Sequence, residues 1–423
     1  MTSDHSEGPP LAVVGETQGP LCLRGTGRAG KVGVVRGMRI ACVHQGYELY
    51  GSDRCFVETV RAIRAAQPAA EITVVLPRRG PIVALLEGVA TRIVFEPLWI
   101  LRRRGFARLM TLGLLRLPGA LLRAARRFAT HDLVYINTTV VADHLVVARF
   151  FPGRAILHAH EIPEGLVRAV LRTLLRFSRA EIVFNSRATR AAFALPPAQQ
   201  THVIYNGIAG PAEAAPTTYD GSRPLRLLML GRVSRIKGQD VLLDAIDALP
   251  EPVRSRLELR IVGSAFEDEA RERALAERIA GPSLRGRVAW MPFDPDPGHH
   301  YRWADIVVVP SRLPESLGRV AIEAMAHGRP ALVSAIGGLV EVIEDGRSGW
   351  AVPPDRPEAL ADTLSRILAD PAAWRGFGAA GRARYEAVFS EAAAAEAIAA
   401  LVAPRAGTVL DAAGSSARSP VYP

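Results

Sequence analysis

The stretch Ala304–Pro330, ADIVVVPSRLPESLGRVAIEAMAHGRP, fixes the fold through its spacing. Ala304 to Pro310 is an apolar run but for Asp305, as expected of a strand covered on both faces. Ser311 to Gly318 reads as a loop, and Arg319 to His327 as a helix closed by Gly328, with Pro330 just beyond. In a strand, loop and helix unit the loop's free N–H groups and the positive end of the helix point outward together, which suits an anionic phosphate. Glu315 projects from the loop and Glu323 from the second turn of the helix. Carboxylates flanking a phosphate position can hold sugar hydroxyls, although the bare pair also fits two surface glutamates at a chance spacing.

The same alternation extends outward from this unit. Behind it, strands are expected at Leu225–Leu230, Leu257–Val262 and Val288–Trp290, with helices at Gly238–Leu249 and around Glu267–Ile279; ahead of it, Ala331–Ser334 is the next strand. An earlier set begins at Met38 with RIACVHQ and continues at Glu71–Leu76, Leu133–Asn137, Ala155–His158, Glu181–Asn185 and His202–Tyr205. Between the two sets, Gly210–Pro224 is Pro- and Ala-rich and offers little to pack. The expected organisation is an extension at 1–37, a Rossmann-like domain at 38–209, a linker at 210–224 and a second Rossmann-like domain at 225–384. A helix at 385–402 crosses back to the first domain, and a tail follows at 403–423. Residues 1–37 lack a hydrophobic period and are expected to be disordered, with Met38 an alternative start.

Composition bounds the rest. The 423 residues suit two cores; 49% are hydrophobic and 22% charged, as in globular domains rather than disordered chains. No run approaches the roughly 18 uncharged apolar residues that span a bilayer, so a cytoplasmic location is expected. Cys22, Cys42 and Cys55 show no pairing or zinc spacing. Much of the +10 charge gathers between Pro97 and His131, which holds Arg102, Arg103, Arg104, Arg108, Arg116, Arg123, Arg126 and Arg127 and no acid. Interleaved with Leu, Trp, Ile, Phe and Met, this segment reads as a face for an anionic membrane or lipid acceptor, or as a solvated helical surface. No nucleic-acid-reading signature accompanies it.

Several positions can carry chemistry. GRVSRIKGQD follows the first strand of the second half and puts Arg232 and Lys237 at its carboxyl end, where two cations can meet a diphosphate. GYELYGSD places Gly46, Gly51 and Ser52 in a loop that feeds a helix. His160 stands at the end of the strand Ala155–His158. His158 and His160 lack a third ligand for a metal, and Asp294-Pro295-Asp296 reads as a rigid turn, so no metal is expected.

Together these motifs resemble the retaining nucleotide-sugar glycosyltransferases of family 4, with the GT-B architecture of two Rossmann-like α/β domains facing a central cleft. The resemblance spans about residues 38–400. It rests on the Gly51 loop, His160, Asn185-Ser186, Asn206-Gly207, Arg232 with Lys237, and Glu315 through Glu323. It implies that Arg232 and Lys237 bind the donor diphosphate, that Glu323 bonds the ribose and Glu315 the donor sugar, and that Ser316, Leu317 and Gly318 offer backbone. It further implies that His160 lies near the reacting carbon, that Gly51 and Ser52 let the first domain approach the diphosphate, and that Gly263, Met291 and Phe293 frame the base. Leu317 stands where the family often has Phe, and Tyr50-Gly51-Ser52 where it often has paired glycines. The expected activity is transfer of a hexosyl unit from a nucleoside diphosphate sugar to a glycan or lipid-linked acceptor in the cell envelope. It needs no cofactor or metal, and the chain is expected in the cytoplasm or peripheral on the inner face of the membrane. A non-catalytic membrane-bound scaffold and a nicotinamide-dependent oxidoreductase are the rivals; the latter lacks a GxGxxG after either first strand.

Overall fold

The protein is described by a computed structural model over residues 37–48, 51–101, 112–215, 217–265 and 268–411. The expectations for residues 1–36, for Arg102, Arg103, Arg104 and Arg108, for Tyr50 and for residues 412–423 lie outside the described residues.

Two parallel sheets organise the chain. The first contains β1 (Arg39–His44), β2 (Glu71–Leu76), β3 (Arg92–Phe95), β4 (Leu133–Asn137), β5 (Ala155–Ala159), β6 (Glu181–Phe184) and β7 (Thr201–Val203), in the order β3-β2-β1-β4-β5-β6-β7. The second contains β8 (Leu225–Leu230), β9 (Leu257–Val262), β10 (Val288–Met291), β11 (Ile306–Val309), β12 (Ala331–Ser334) and β13 (Gly349–Val352), in the order β10-β9-β8-β11-β12-β13. In each sheet the order reverses once, between β1 and β4 and between β8 and β11, and ligands of such sheets bind outside the strand ends at that reversal. The central strands β4 and β11 are wholly buried because helices cover both faces. Each Val or Ile so removed from water contributes roughly 1.5–3 kcal/mol.

The helices that bear on function, numbered in chain order, are α1 (Gly51–Ala66), α2 (Leu112–Thr130), α3 (Arg187–Phe193), α4 (Gln239–Ala248), α5 (Gly298–Trp303), α6 (Arg319–Ala326), α7 (Leu339–Val342) and α8 (Glu391–Asp411). The last of these returns to the first sheet: Ile398, Leu401 and Val402 are buried in one cluster with Phe56, Val60 and Ile63 of α1. It runs to Asp411, so the loose tail expected from residue 403 is corrected for residues 403–411. The stretch 210–224 also differs from a free linker. Tyr219 is buried and stacks on Trp374 at 5.7 Å, and the Thr217 hydroxyl donates to Asp305 at 2.9 Å. Its composition hid one aromatic anchor among prolines and alanines.

Candidate functional site

In the second domain the site grows from the ends of β8 and β11. Gly231 turns out of β8 with φ 142°, and Gly263 after β9 backs so closely onto it that a Cβ there would lie 2.0 Å from the Gly231 carbonyl oxygen. This packing alone requires glycine at 263. The chain then passes Arg232 and Lys237 into α4, which starts after Gly238 at φ 73°. The Gln239 amide holds the turn by donating to the Arg232 carbonyl at 2.9 Å. From the other side of the reversal, Ser311 follows β11 and its hydroxyl bonds Glu315, whose Oε1 also lies 2.8 Å from Lys237 Nζ. The structure therefore brings Lys237 and Glu315 into direct contact across the switch point.

Three residues after Glu315, Gly318 caps α6 at φ 90°, and a Cβ on it would strike Leu339 at 2.4 Å. Leu317 is buried in the cluster with Leu339 and Ile322, so its side chain faces the core and only its backbone is left to face a ligand. Glu323 accepts from Tyr301 Oη and from Arg319 Nε, both at 2.7 Å. Tyr301 on α5 is itself stacked against His327 at 4.9 Å. Met291 is half-buried and its carbonyl accepts from the Gly263 N–H at 2.9 Å, while Phe293 beside it is exposed.

The first domain supplies a largely buried relay of imidazole and amide side chains that ends on the Asp53 carboxylate. His160 Nε2 lies 2.9 Å from Asn137 Oδ1, Asn137 Nδ2 lies 2.9 Å from His44 Nδ1, and His44 Nε2 lies 2.8 Å from Asp53 Oδ1. With the Asn137 amide turned so that Nδ2 faces His44 and Oδ1 faces His160, the three contacts set the proton directions when Asp53 is a carboxylate. His44 Nε2–H donates to Asp53, Asn137 Nδ2–H donates to His44 Nδ1, and His160 Nε2–H donates to Asn137 Oδ1. His160 is thereby fixed as the Nε2–H tautomer, leaving Nδ1 as an acceptor without a protein partner. Burial, reinforced by the neighbouring His158 and His44, holds its pKa well below the usual imidazole value. The His158 ring lies tilted beside it with centroids 4.0 Å apart, is bound through Nδ1 to Tyr135 Oη at 2.6 Å, and has its pKa driven by burial to about 3.

Asp53 and the loop before α1 depend on Gly46, where a Cβ would sit 1.8 Å from Asp53 Oδ1. At Gly51, by contrast, a Cβ would meet no protein atom within 4 Å, so no intramolecular contact demands glycine there. Ser52 follows, half-buried, with its hydroxyl 3.5 Å from Asp53. The relay residues His44, Asn137 and Asp53 were not anticipated. Their signal was positional: His44 ends β1 and Asn137 ends β4, the two strands beside the reversal.

The two walls meet at α1 and α3. The Arg319 guanidinium of α6 interacts with the Cys55 thiol and with Glu58 of α1, one and two turns beyond Gly51. Burial raises Cys55 to about 12 and Glu58 from its ordinary 4.5 to about 7. The Asn185-Ser186 pair acquires a role at the start of α3, where Ser186 Oγ accepts from the Thr189 N–H at 2.9 Å and Asn185 accepts from the Thr189 hydroxyl at 2.8 Å. Among the described residues, Asp294, His299 and His300 form the one grouping of three possible metal-ligand side chains. There His300 Nδ1 accepts from Arg260 at 3.2 Å, which leaves the proton on Nε2 facing Asp294 at 3.2 Å. A guanidinium cannot accept, so this cluster is a hydrogen-bonded one rather than a preformed cation site.

Residues 220–384 match the family described as Glycosyl transferases group 1. The chain is similar to D-inositol 3-phosphate glycosyltransferases: that of Nocardiopsis dassonvillei is 39% identical over 164 residues, 35% of this chain and 36% of the relative. That of Frankia alni is 38% identical over 178 residues, 41% of this chain and 43% of the relative. The chain thus spans about two-fifths of the length of the curated relatives it matches. Solved structures extend the likeness across both domains. Anabaena HepE in complex with UDP superposes with a TM-score of 0.69 at 22% identity, covering 87% of this chain and all of HepE. Sucrose-phosphate synthase from Thermosynechococcus elongatus superposes at 0.65 and 22%, covering 89% and 100%. The fold is GT-B.

Proposed function

We propose that the chain is a retaining glycosyltransferase that moves a hexosyl unit from a nucleoside diphosphate sugar to an acceptor hydroxyl in cell-envelope polysaccharide or glycolipid assembly. The observation that carries this reading is the Lys237–Glu315 contact across the β8/β11 reversal, inside the segment that matches the group 1 family. A cation beside a carboxylate at such a strand end offers one group to a departing phosphate and the other to sugar hydroxyls. Arg232, two residues out of β8, adds a second cation.

In this reading the bond between the anomeric carbon and the diphosphate oxygen breaks while Arg232 and Lys237 stabilise the charge left on the diphosphate. The acceptor hydroxyl attacks from the same face and gives its proton to the departing diphosphate oxygen, so the configuration is retained and neither a metal nor a protein nucleophile takes part. Glu315 and His160 position the donor sugar, and Glu323, already oriented by Tyr301 and Arg319, takes the ribose hydroxyls. Gly51 and Ser52 open space for the diphosphate from the first domain, and Gly263, Met291 and Phe293 border the base. Exclusion of water between the domains limits hydrolysis. Uracil is the first base to try, because HepE is seen with UDP.

The acceptor side favours a lipid surface. No described helix is long and apolar enough to cross a membrane. On α2, however, Leu114, Leu115 and Leu122 are exposed beside Arg116 and Arg126, a mixture suited to peripheral contact with an anionic inner leaflet. Arg127 is turned inward to Glu96 at 2.8 Å and Arg123 to the Pro97 carbonyl at 2.9 Å, so they leave that face. The decisive experiment is a thermal-shift screen with UDP, GDP and ADP sugars and NAD, followed by release of nucleoside diphosphate from wild type and Glu315→Gln. A shift with one nucleotide sugar, and release that falls in Glu315→Gln, is expected. A shift with NAD alone would overturn the transferase, and binding without release in either form would identify a scaffold.

A further inference from the structure

We propose that Glu341, on the short helix α7, is the positioning residue that locks the donor loop against the first domain; this rests on the transferase reading above. The carboxylate crosses between domains. Its Oε2 accepts from the Arg187 N–H at 2.8 Å and its Oε1 from the Ala188 N–H at 2.7 Å, both in the first turn of α3. Oε2 also accepts from Tyr205 Oη at 2.9 Å, on the segment that leaves the first sheet. Three donors of the first domain thus converge on one carboxylate of the second, and such charge-assisted bonds are the stronger class.

The base of α7 is rigidly tied to the site. Gly338, at its start, donates its N–H to the Glu315 carbonyl at 2.7 Å, and a Cβ on Gly337 would lie 2.5 Å from that same oxygen. On its other side, Arg384 donates to the carbonyls of Glu341 and Val342, each at 2.7 Å. The turn of α3 that faces Glu341 also lies against the donor loop, with Thr189 Oγ1 3.4 Å from the Ser316 carbonyl oxygen while its proton goes to Asn185. Glu341 therefore holds α3 at a fixed distance from Glu315 and Ser316 without touching the groups that would hold the donor. Its loss leaves the second-domain pocket whole while the first domain drifts away from it. Donor affinity is then retained, the transfer step slows, and a larger share of donor is lost to water.

The test uses the full chain with spin labels at Arg176→Cys and Arg285→Cys, both exposed, in a Cys22→Ser background; Cys42 and Cys55 are buried. Inter-label distances are measured with and without UDP, and UDP affinity is measured by calorimetry. A single narrow distance is expected for wild type and a broad, longer distribution for Glu341→Ala, with UDP affinity changed less than about threefold. Glu341→Gln keeps one acceptor oxygen and Tyr205→Phe removes one donor, so both should broaden the distribution less and serve if the alanine variant fails to fold. With the identified donor, Glu341→Ala should lower kcat about tenfold or more with KM little changed. An unchanged distance distribution in all three variants overturns the proposal, as does a UDP affinity that falls together with kcat. Failure of wild type to bind any nucleotide would remove the transferase reading instead, and the distance measurement would still decide the role of Glu341.

Discussion

The two domains hold the groups of the candidate site by opposite means. In the second, Lys237 against Glu315 and Arg319 against Glu323 are ion pairs in partly wet surroundings. In the first, His160 is aimed by a file of buried amide and imidazole hydrogen bonds that ends on Asp53. The charged wall tolerates displacement, because Coulomb attraction falls off gradually with distance. The neutral wall depends on proton direction, because each buried donor must meet an acceptor or lose a full desolvation penalty. A substitution in the second domain should therefore act on rate first, and one in the first domain on folding and rate together.

The largest effect that tests this contrast is expected at Lys237. Lys237→Ala should lower the transfer rate about a hundred- to a thousandfold, the magnitude typical of removing one transition-state donor, with a melting temperature within about 2 °C of wild type. A melt that fell sharply would show the cation to be structural. Next comes Glu58, which burial raises to about 7 against the pull of Arg319, Arg54 and Arg61 and with help from Glu391. A carboxyl raised in the folded state binds its proton there more tightly than in the unfolded chain. Its contribution is therefore fully present below about pH 4.5 and is lost as pH rises to about 7. Glu58→Gln should remove up to about 3 kcal/mol of that decline in denaturant midpoints measured from pH 4.5 to 8. An identical pH slope in both proteins would refute the assignment.

Gly46→Ala probes the neutral wall sterically. The added Cβ drives into Asp53 and His44, and a destabilisation of roughly 1–3 kcal/mol, with activity falling in parallel, should appear in urea melts and assays. The gentlest probe is Asp53→Asn, which keeps an acceptor for His44 but drops the charge. It should cost about 1 kcal/mol of stability and a severalfold loss of rate, whereas Asp53→Ala, which orphans the His44 N–H, should cost more. Equal effects from the two substitutions would mean that the direction of the relay is immaterial.

The contrast also explains what the sequence could disclose. The charged wall is local: Glu315 and Glu323 fall in one strand, loop and helix unit, and Arg232 and Lys237 follow one strand, so spacing was enough to single them out as candidates. The neutral wall is assembled from residues 44, 53, 137 and 160, each ordinary in its own window, and hydrogen-bonded only after β1, β4 and β5 have paired. Glu341 was equally silent, since its backbone partners lie 153 and 154 residues earlier. Two strands escaped as well. β3 and β13 are four-residue edges whose side chains are mostly less than fully buried, so neither shows the unbroken apolar run that marked β4 and β11. Gly51 and Ser52, read as loop residues, instead open α1, and in that stretch the glycine with no room for a side chain is Gly46.

The chain passes between domains twice, and the two passages touch. The Ile208 N–H donates to the Phe389 carbonyl at 2.9 Å, Tyr385 Oη donates to the Ile208 carbonyl at 2.8 Å, and Gly207 lies so near Glu391 and Ala394 that a Cβ there would come within 2.9 Å of both. Paired straps of this kind permit bending about the line that joins them and resist swivelling around it. Lengthening one strap by a residue would put the pair out of step, whereas matched changes in both would preserve the swing.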